Sequence, residues 1–181
     1  MALPRAPEIT VLESIPLVQA RVFEVLRERI ELPSGLRQDL VLIDHPGAVV
    51  VLAEDEHGRV AAVRQYRHPL GRWLTELPAG RLERGEDRLV AAQRELDEEA
   101  GLRAARWESL GCFFPAPGFC SEEIEIFWAR DLSPSGAARR PMDEDEEISA
   151  LWLEWPRAQA ELASDGKSAI ALERWRRALG H

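Results

Sequence analysis

Glu95, Glu98 and Glu99 stand at i, i+3 and i+4 within Arg94-Glu95-Leu96-Asp97-Glu98-Glu99-Ala100-Gly101. A helix there sets the three carboxylates on one face. Like charges at that spacing repel by about 0.2–0.5 kcal/mol per pair. The negative end of the helix dipole adds an unfavourable ~0.3–1 kcal/mol for each nearby anion. A helix built for stability alone would carry Lys or Arg in its last turn. A divalent cation against this face makes the arrangement favourable, and hard carboxylate oxygens suit Mg²⁺ or Mn²⁺. The plainer reading of any acidic helix is a solvated face, and the residues upstream decide between the two.

Gly80 is followed by five residues and Glu86, and seven more lead to Arg94-Glu95-Leu96-Asp97-Glu98-Glu99-Ala100-Gly101-Leu102. Written as a pattern, this is G-x5-E-x7-R-E-U-x-E-E-x-G-U, where U is a bulky apolar residue. Nine specified positions over 23 residues are far more specific than an acidic run. The pattern resembles the Nudix box, and by that resemblance the chain is identified as a member of the Nudix hydrolase superfamily. The resemblance implies a metal site made by Glu95, Glu99 and the carbonyl of Ala79, with Glu98 in the same shell. It implies that Arg94 orients a box glutamate as an ion-pair partner and that Glu86 has a similar bracing role. Gly80 is expected at a backbone turn that a Cβ would strain, and Gly101 at the helix C-terminus. The implied reaction is Mg²⁺- or Mn²⁺-dependent hydrolysis of the pyrophosphate in a nucleoside diphosphate linked to another group.

Three features outside the box resemble the ADP-ribose pyrophosphatase (ADP-sugar diphosphatase) branch. Pro117 and Gly118 lie sixteen and seventeen residues after Gly101 and precede an acidic residue, Glu122; an ordinary Pro-Gly turn is the alternative. Arg64-Gln65-Tyr66-Arg67 leads into Glu76-Leu77-Pro78-Ala79-Gly80. By resemblance Arg67 contacts the diphosphate and Glu76 sits at the substrate pocket, while a surface salt bridge is the alternative for Arg67. The run Asp143-Glu144-Asp145-Glu146-Glu147 holds the implied general base or additional metal ligand, placed at Glu146 with Glu144 second; a solvated acidic loop is the alternative. The implied reaction is ADP-ribose to AMP and ribose 5-phosphate. A GDP- or UDP-hexose is the competing substrate, and a non-catalytic nucleotide-binding regulator is the competing class.

The elements that must position these residues follow from patterning. Gly47–Ala53 is a continuous apolar run of the kind found in a strand buried on both faces. Strands are expected at 59–66, 73–77, 107–114, 123–130 and 147–154. The box helix carries Leu89, Ala92, Leu96 and Ala100 as its apolar stripe, with Asp87 as N-cap. Two helical segments, 156–163 and 168–179, end the sequence. Residues 1–18 read as a Pro-punctuated lead-in, and 21–32 with 37–44 as a hairpin around Pro33-Ser34-Gly35. The expected class is α+β, a mixed sheet between helices, with 1–45 as lead-in and hairpin and 46–181 as the hydrolase domain. By resemblance the hairpin packs across the two-fold axis of a homodimer, with a monomer as the alternative.

The 181 residues suit one sizeable core, and 45% hydrophobic with 30% charged residues is an ordinary globular mix. A net charge of −9 argues against a nucleic-acid partner, whose phosphates need Lys and Arg. No apolar stretch approaches the ~18 residues that would suggest a membrane span, and the first residues show no signal-peptide pattern. With only Cys112 and Cys120, a reduced cytoplasmic setting is expected. Most of the six tryptophans are expected in the core, and by resemblance Phe23 is a candidate for stacking on a base, with core packing as the alternative.

Overall fold

The computed structural model describes residues 5–83, 85–136 and 148–180. The chain divides into two compact units: the described residues up to Gly47 with Phe114–Glu123, and Ala48–Phe113 with the described residues from Ile124 onward.

The first unit is an antiparallel sheet in the order β1-β2-β3, made of β1 (Thr10–Gln19), β2 (Glu24–Glu31) and β3 (Arg37–Asp44). The hairpin is β2 and β3. Residues read as a lead-in form a third strand instead. Its register shifts between Val11 and Glu13 and again between Pro16 and Val18. Those bulges break the period-2 alternation by which a strand is recognised in sequence. The buried Glu28 accepts hydrogen bonds from Arg5 at 2.6 Å and from the Ser14 hydroxyl at 3.0 Å. The segment Phe114–Glu123 is tied to β3 through Ile43, whose N–H donates to the Phe119 carbonyl at 2.7 Å and whose carbonyl accepts from the Ser121 N–H at 3.0 Å.

The second unit contains two sheets. One has the order β7-β4-β9-β8, with β4 (Ala48–Ala53) parallel to β9 (Ile124–Pro134) and antiparallel to β7 (Ala79–Arg81). Its edge is β8 (Leu102–Phe113), which starts earlier than the patterning suggests. The other is antiparallel, in the order β10-β5-β6, built from β5 (Val60–Arg67), β6 (Arg72–Glu76) and β10 (Ile148–Leu153). The helices are α1 (Arg88–Glu95), α2 (Trp155–Glu161) and α3 (Gly166–Ala178).

Every residue of β4 is buried. Val49, Val51 and Ala53 share a core with Ala91, Ala92 and Leu96 of the box helix. Val50 and Leu52 share the other core with Ala158, Leu162, Ala171, Leu172 and Trp175. Strand alternation thus sends successive side chains into two different helical layers, which is why the run is apolar without interruption. Each fully buried Val or Leu contributes about 1.5–3 kcal/mol. Of the tryptophans, Trp107 and Trp155 pack half-buried against the cores, and Trp128 and Trp175 are buried, so most belong to the core as expected. The Trp128 and Trp175 indole N–H groups both donate to one Glu54 oxygen, at 2.8 and 3.2 Å.

Candidate active site

The box helix is fixed at both ends by its own sequence. The Asp87 carboxylate accepts from the Leu89 and Val90 N–H groups at 2.9 and 3.2 Å, capping orphan donors of the first turn. Gly101 closes the far end in the left-handed region, φ +65. Between them α1 passes into a π-helical turn, Leu96–Ala100. Such turns are uncommon and concentrate at functional sites. This one turns Leu96 into the core and leaves Glu95 and Glu99 buried, at 7% and 3% exposure, with Glu98 half-buried.

One guanidinium gathers three of the acids. Arg94 donates through Nε to Glu86 at 3.0 Å and through Nη2 to the other Glu86 oxygen at 3.1 Å. Its Nη1 lies 2.6 Å from Glu95 and 3.0 Å from Glu98, and Nη2 also reaches the Arg81 carbonyl at 3.1 Å. Burial works against the Arg94 charge, yet the bonds to Glu86, Glu95 and Glu98 hold its proton well above the usual arginine range. Glu86 also accepts from the Glu83 N–H at 2.9 Å, which ties the loop before the helix to the same cluster.

The loop and the helix meet at two points. The Ala79 N–H donates to Glu99 at 2.9 Å. Gly80 lies directly under the Glu95 carboxylate, where a Cβ would come far inside the 3.0 Å that real Cβ atoms keep. Gly80 sits in strand β7 and is not among the positive-φ glycines. Glycine is required there for close approach, not for the turn that patterning suggests.

A second charged cluster lies on β5, β6 and the start of α3. Arg67 clasps the buried Glu76 through a two-point fork, Nε at 2.7 Å and Nη2 at 2.6 Å. Lys167 Nζ donates to the same Glu76 oxygen as Nη2, and to Asp165 at 2.9 Å. The hydrogen bonds to Glu76 raise the Arg67 pKa against the cost of burial, and the fields of Glu76, Glu99 and Asp165 add to the rise. Burial alone would push the Glu76 carboxyl up, but Arg67 and Lys167 hold it below the usual carboxylate range.

Among the described residues no three His, Cys, Asp or Glu side chains stand arranged to hold a cation, and the cation held by the box acids is Arg94. The donor set nevertheless fits a hard divalent ion. Two carboxylates, of Glu95 and Glu98, already converge on a single nitrogen. A third, Glu99, is nearly fully buried beside Ala79. Oxygen-only donors with surplus negative charge are the set Mg²⁺ and Mn²⁺ take.

The structure thus brings Glu86, Arg94, Glu95 and Glu98 into one cluster, joins Glu99 to Ala79 and Glu95 to Gly80, and pairs Arg67 with Glu76. Pro117 and Gly118 lie exposed in the first unit, at a turn where the Cys120 N–H donates to the Ala116 carbonyl at 2.9 Å. Glu144 and Glu146 lie outside the described residues. Sequence reasoning missed Asp165, Lys167 and Ser168. The signal was an Asp ahead of the last apolar-periodic stretch; α3 begins at Gly166 with Asp165 as its N-cap, two residues before the expected start.

The NUDIX domain family matches residues 44–172. An ADP-ribose pyrophosphatase of Bacillus subtilis is 35% identical over 87% of this chain and 86% of its own length. A methanol dehydrogenase activator of Bacillus methanolicus is 36% identical over the same shares. A solved structure described as an ADP compounds hydrolase superposes with a TM-score of 0.77, covering 98% of this chain and 99% of that one at 20% identity, and so shares the fold. No helix among the described residues is long and apolar enough to cross a membrane. The family match across most of the chain, together with relatives above 30% identity, establishes that the chain belongs to the Nudix hydrolases.

Proposed function

We propose that this chain hydrolyses the pyrophosphate of ADP-ribose, giving AMP and ribose 5-phosphate, with Mg²⁺ or Mn²⁺ held by Glu95, Glu99, Glu98 and the Ala79 carbonyl. The observation that carries the reading is the convergence of Glu95 and Glu98 on one Arg94 nitrogen, beside a buried Glu99 bound to the backbone of Ala79. The choice of ADP-ribose is supported by the Bacillus subtilis relative, whose name states that activity.

A bound divalent cation would neutralise charge on the phosphate oxygens and make an attacking water more acidic. The chain's own residues supply the rest. Arg94 holds the Glu95 and Glu98 carboxylates in place, and Glu86 holds Arg94. The Ala79 N–H fixes Glu99. Arg67 offers phosphate oxygens the Nη1–Nη2 edge of its planar guanidinium, while Glu76 holds the Nε–Nη2 edge and presets the plane. Glu146, with Glu144 second, takes the proton of the attacking water, which needs a carboxylate that stays ionised within reach. The P–O bond of the bridging oxygen breaks as water adds at phosphorus. A homodimer built on the first unit, with Pro117 and Gly118 contributing to the substrate pocket, and a cytoplasmic setting belong to the same reading.

The test is a substrate panel of ADP-ribose, GDP-mannose and UDP-glucose with Mg²⁺ or Mn²⁺ and identified products. The expected kcat/KM preference for ADP-ribose is at least about tenfold, or ~1.4 kcal/mol. A preference for either hexose substrate would move the assignment to that nucleotide sugar.

A further inference from the structure

Lys167 belongs to no part of the box, yet it is 16% exposed and bound to the carboxylate that holds Arg67. We propose that Lys167 is a positioning residue for the reaction, setting the Arg67 guanidinium for the diphosphate through the Glu76 carboxylate they share. This rests on the reading that Arg67 contacts the diphosphate.

Arg67 has little on its own strand to orient it. It is the last residue of β5, followed by a short 3₁₀ turn, His68–Leu70. Its strand partner is Arg72, another cation. The side chain is 38% exposed and Glu76 only 2%. The orientation of the fork therefore comes from Glu76. A two-point fork makes the guanidinium and the carboxylate one plane, but that plane still turns as a unit about the Glu76 side-chain bonds. Lys167 Nζ supplies a third attachment from a different element, the first turn of α3. That turn is anchored beside Glu76, because the Leu77 N–H donates to the fully buried Ser168 hydroxyl at 2.8 Å. The Ser168 N–H and hydroxyl both bond Asp165.

The charge pattern fits positioning better than anion binding. Arg67 and Glu76 already form a complete pair. Lys167 brings its own counter-ion, Asp165, at 2.9 Å. The addition is neutral, so what it adds is a fixed carboxylate. Misplacement of a substrate-orienting group by ~1 Å costs up to about 100-fold, so a remote lysine suffices to matter.

Steady-state kinetics with ADP-ribose test the proposal, with thermal unfolding of each variant alongside. Lys167→Met is expected to raise KM about tenfold with kcat within about twofold of the parent. Asp165→Asn with Lys167→Met leaves no unpaired acid and retains an N-cap; it should show the same KM rise, separating orientation from charge and from misfolding. Arg67→Met should raise KM further, and adding Lys167→Met to it should change nothing more. An unchanged KM in both Lys167 variants, with a raised KM in Arg67→Met, overturns the positioning role alone. A full Lys167→Met effect in the Arg67→Met background overturns it in favour of an independent action on substrate. An unchanged KM in Arg67→Met removes the diphosphate reading of Arg67 and the proposal with it.

Discussion

The Cα of Gly80 and the carboxylate of Glu95 are packed so closely that one methyl group on the first would overlap Oε1, Cδ and Oε2 of the second. The atoms in the way form the far end of a flexible side chain, so they can yield, at the cost of its 2.6 Å contact with Arg94. Gly80→Ala should therefore displace Glu95 without unfolding the protein. The expected outcome is a kcat loss of at least about 100-fold in a protein that still folds, with a thermal midpoint lowered by the lost Glu95–Arg94 contact. Retained activity would show that Glu95 does its work from another rotamer.

Glu99→Gln keeps an oxygen to accept the Ala79 N–H, so the loop should stay in place. It removes the charge that a divalent ion needs. Even partners of metal ligands cost ~10–100-fold when changed, and turnover should fall at least by the upper figure. Circular dichroism should show an unaltered fold, and unchanged turnover would remove Glu99 from the metal site.

Arg94→Met tests the box as a cation site by a route that needs no turnover. The Arg94 side chain is 15% exposed, and its removal leaves Glu86, Glu95 and Glu98 without their shared guanidinium. Breaking a buried ion pair costs about 3–5 kcal/mol, seen as a lower unfolding midpoint. A ligand that binds only the folded state restores stability by mass action. Mg²⁺ or Mn²⁺ should accordingly raise the midpoint of the variant more than that of the parent. No shift in either protein would show that these carboxylates hold no divalent ion.

The Glu76 carboxyl has a folded pKa below its ordinary value of 4.5. A depressed carboxylate pKa contributes stability that is full above the unfolded value and is lost as pH falls through the folded one. Unfolding midpoints of the parent should thus drop below pH 4.5, and part of that drop should be missing in Glu76→Gln. Parallel acid curves for the two proteins would mean that the Arg67 and Lys167 contacts contribute no pH-dependent stability.

The base assignment is checked by comparing Glu146→Gln with Glu144→Gln. Loss of a general base typically costs about 10²–10⁴-fold. That loss is expected in kcat for Glu146→Gln, with a smaller one for Glu144→Gln. The opposite order would exchange their roles.

The box helix and the central strand were legible because their signals are local. Asp87, the stripe of Ala92 and Leu96, and Gly101 lie within one element, and Gly47–Ala53 is apolar throughout because both faces of β4 are covered. The strand at Thr10–Gln19 was not legible, because its bulges scramble the alternation. Neither was the π-helical turn, since an inserted turn leaves the residue types of an ordinary helix in place. The partners of Glu76 were hidden for a different reason. Lys167 is 91 residues away in sequence, and no spacing rule reaches that far. The reason for Gly80 was likewise tertiary, a neighbour's carboxylate and not its own dihedral angles.

The strand that shares its residues between two helical layers also carries the Pro78-Ala79-Gly80 loop as its hydrogen-bonded neighbour. Val49 and Val50 of β4 lie opposite Gly80 and Ala79, and the Val51 N–H donates to the Pro78 carbonyl at 2.8 Å. Local opening in proteins draws on segments with few buried apolar contacts, and this loop is fastened to the opposite kind. The loop strand β7 lies at the sheet edge, so its own opening breaks only the short ladder to β4, while the strand it rests on stays held in both cores.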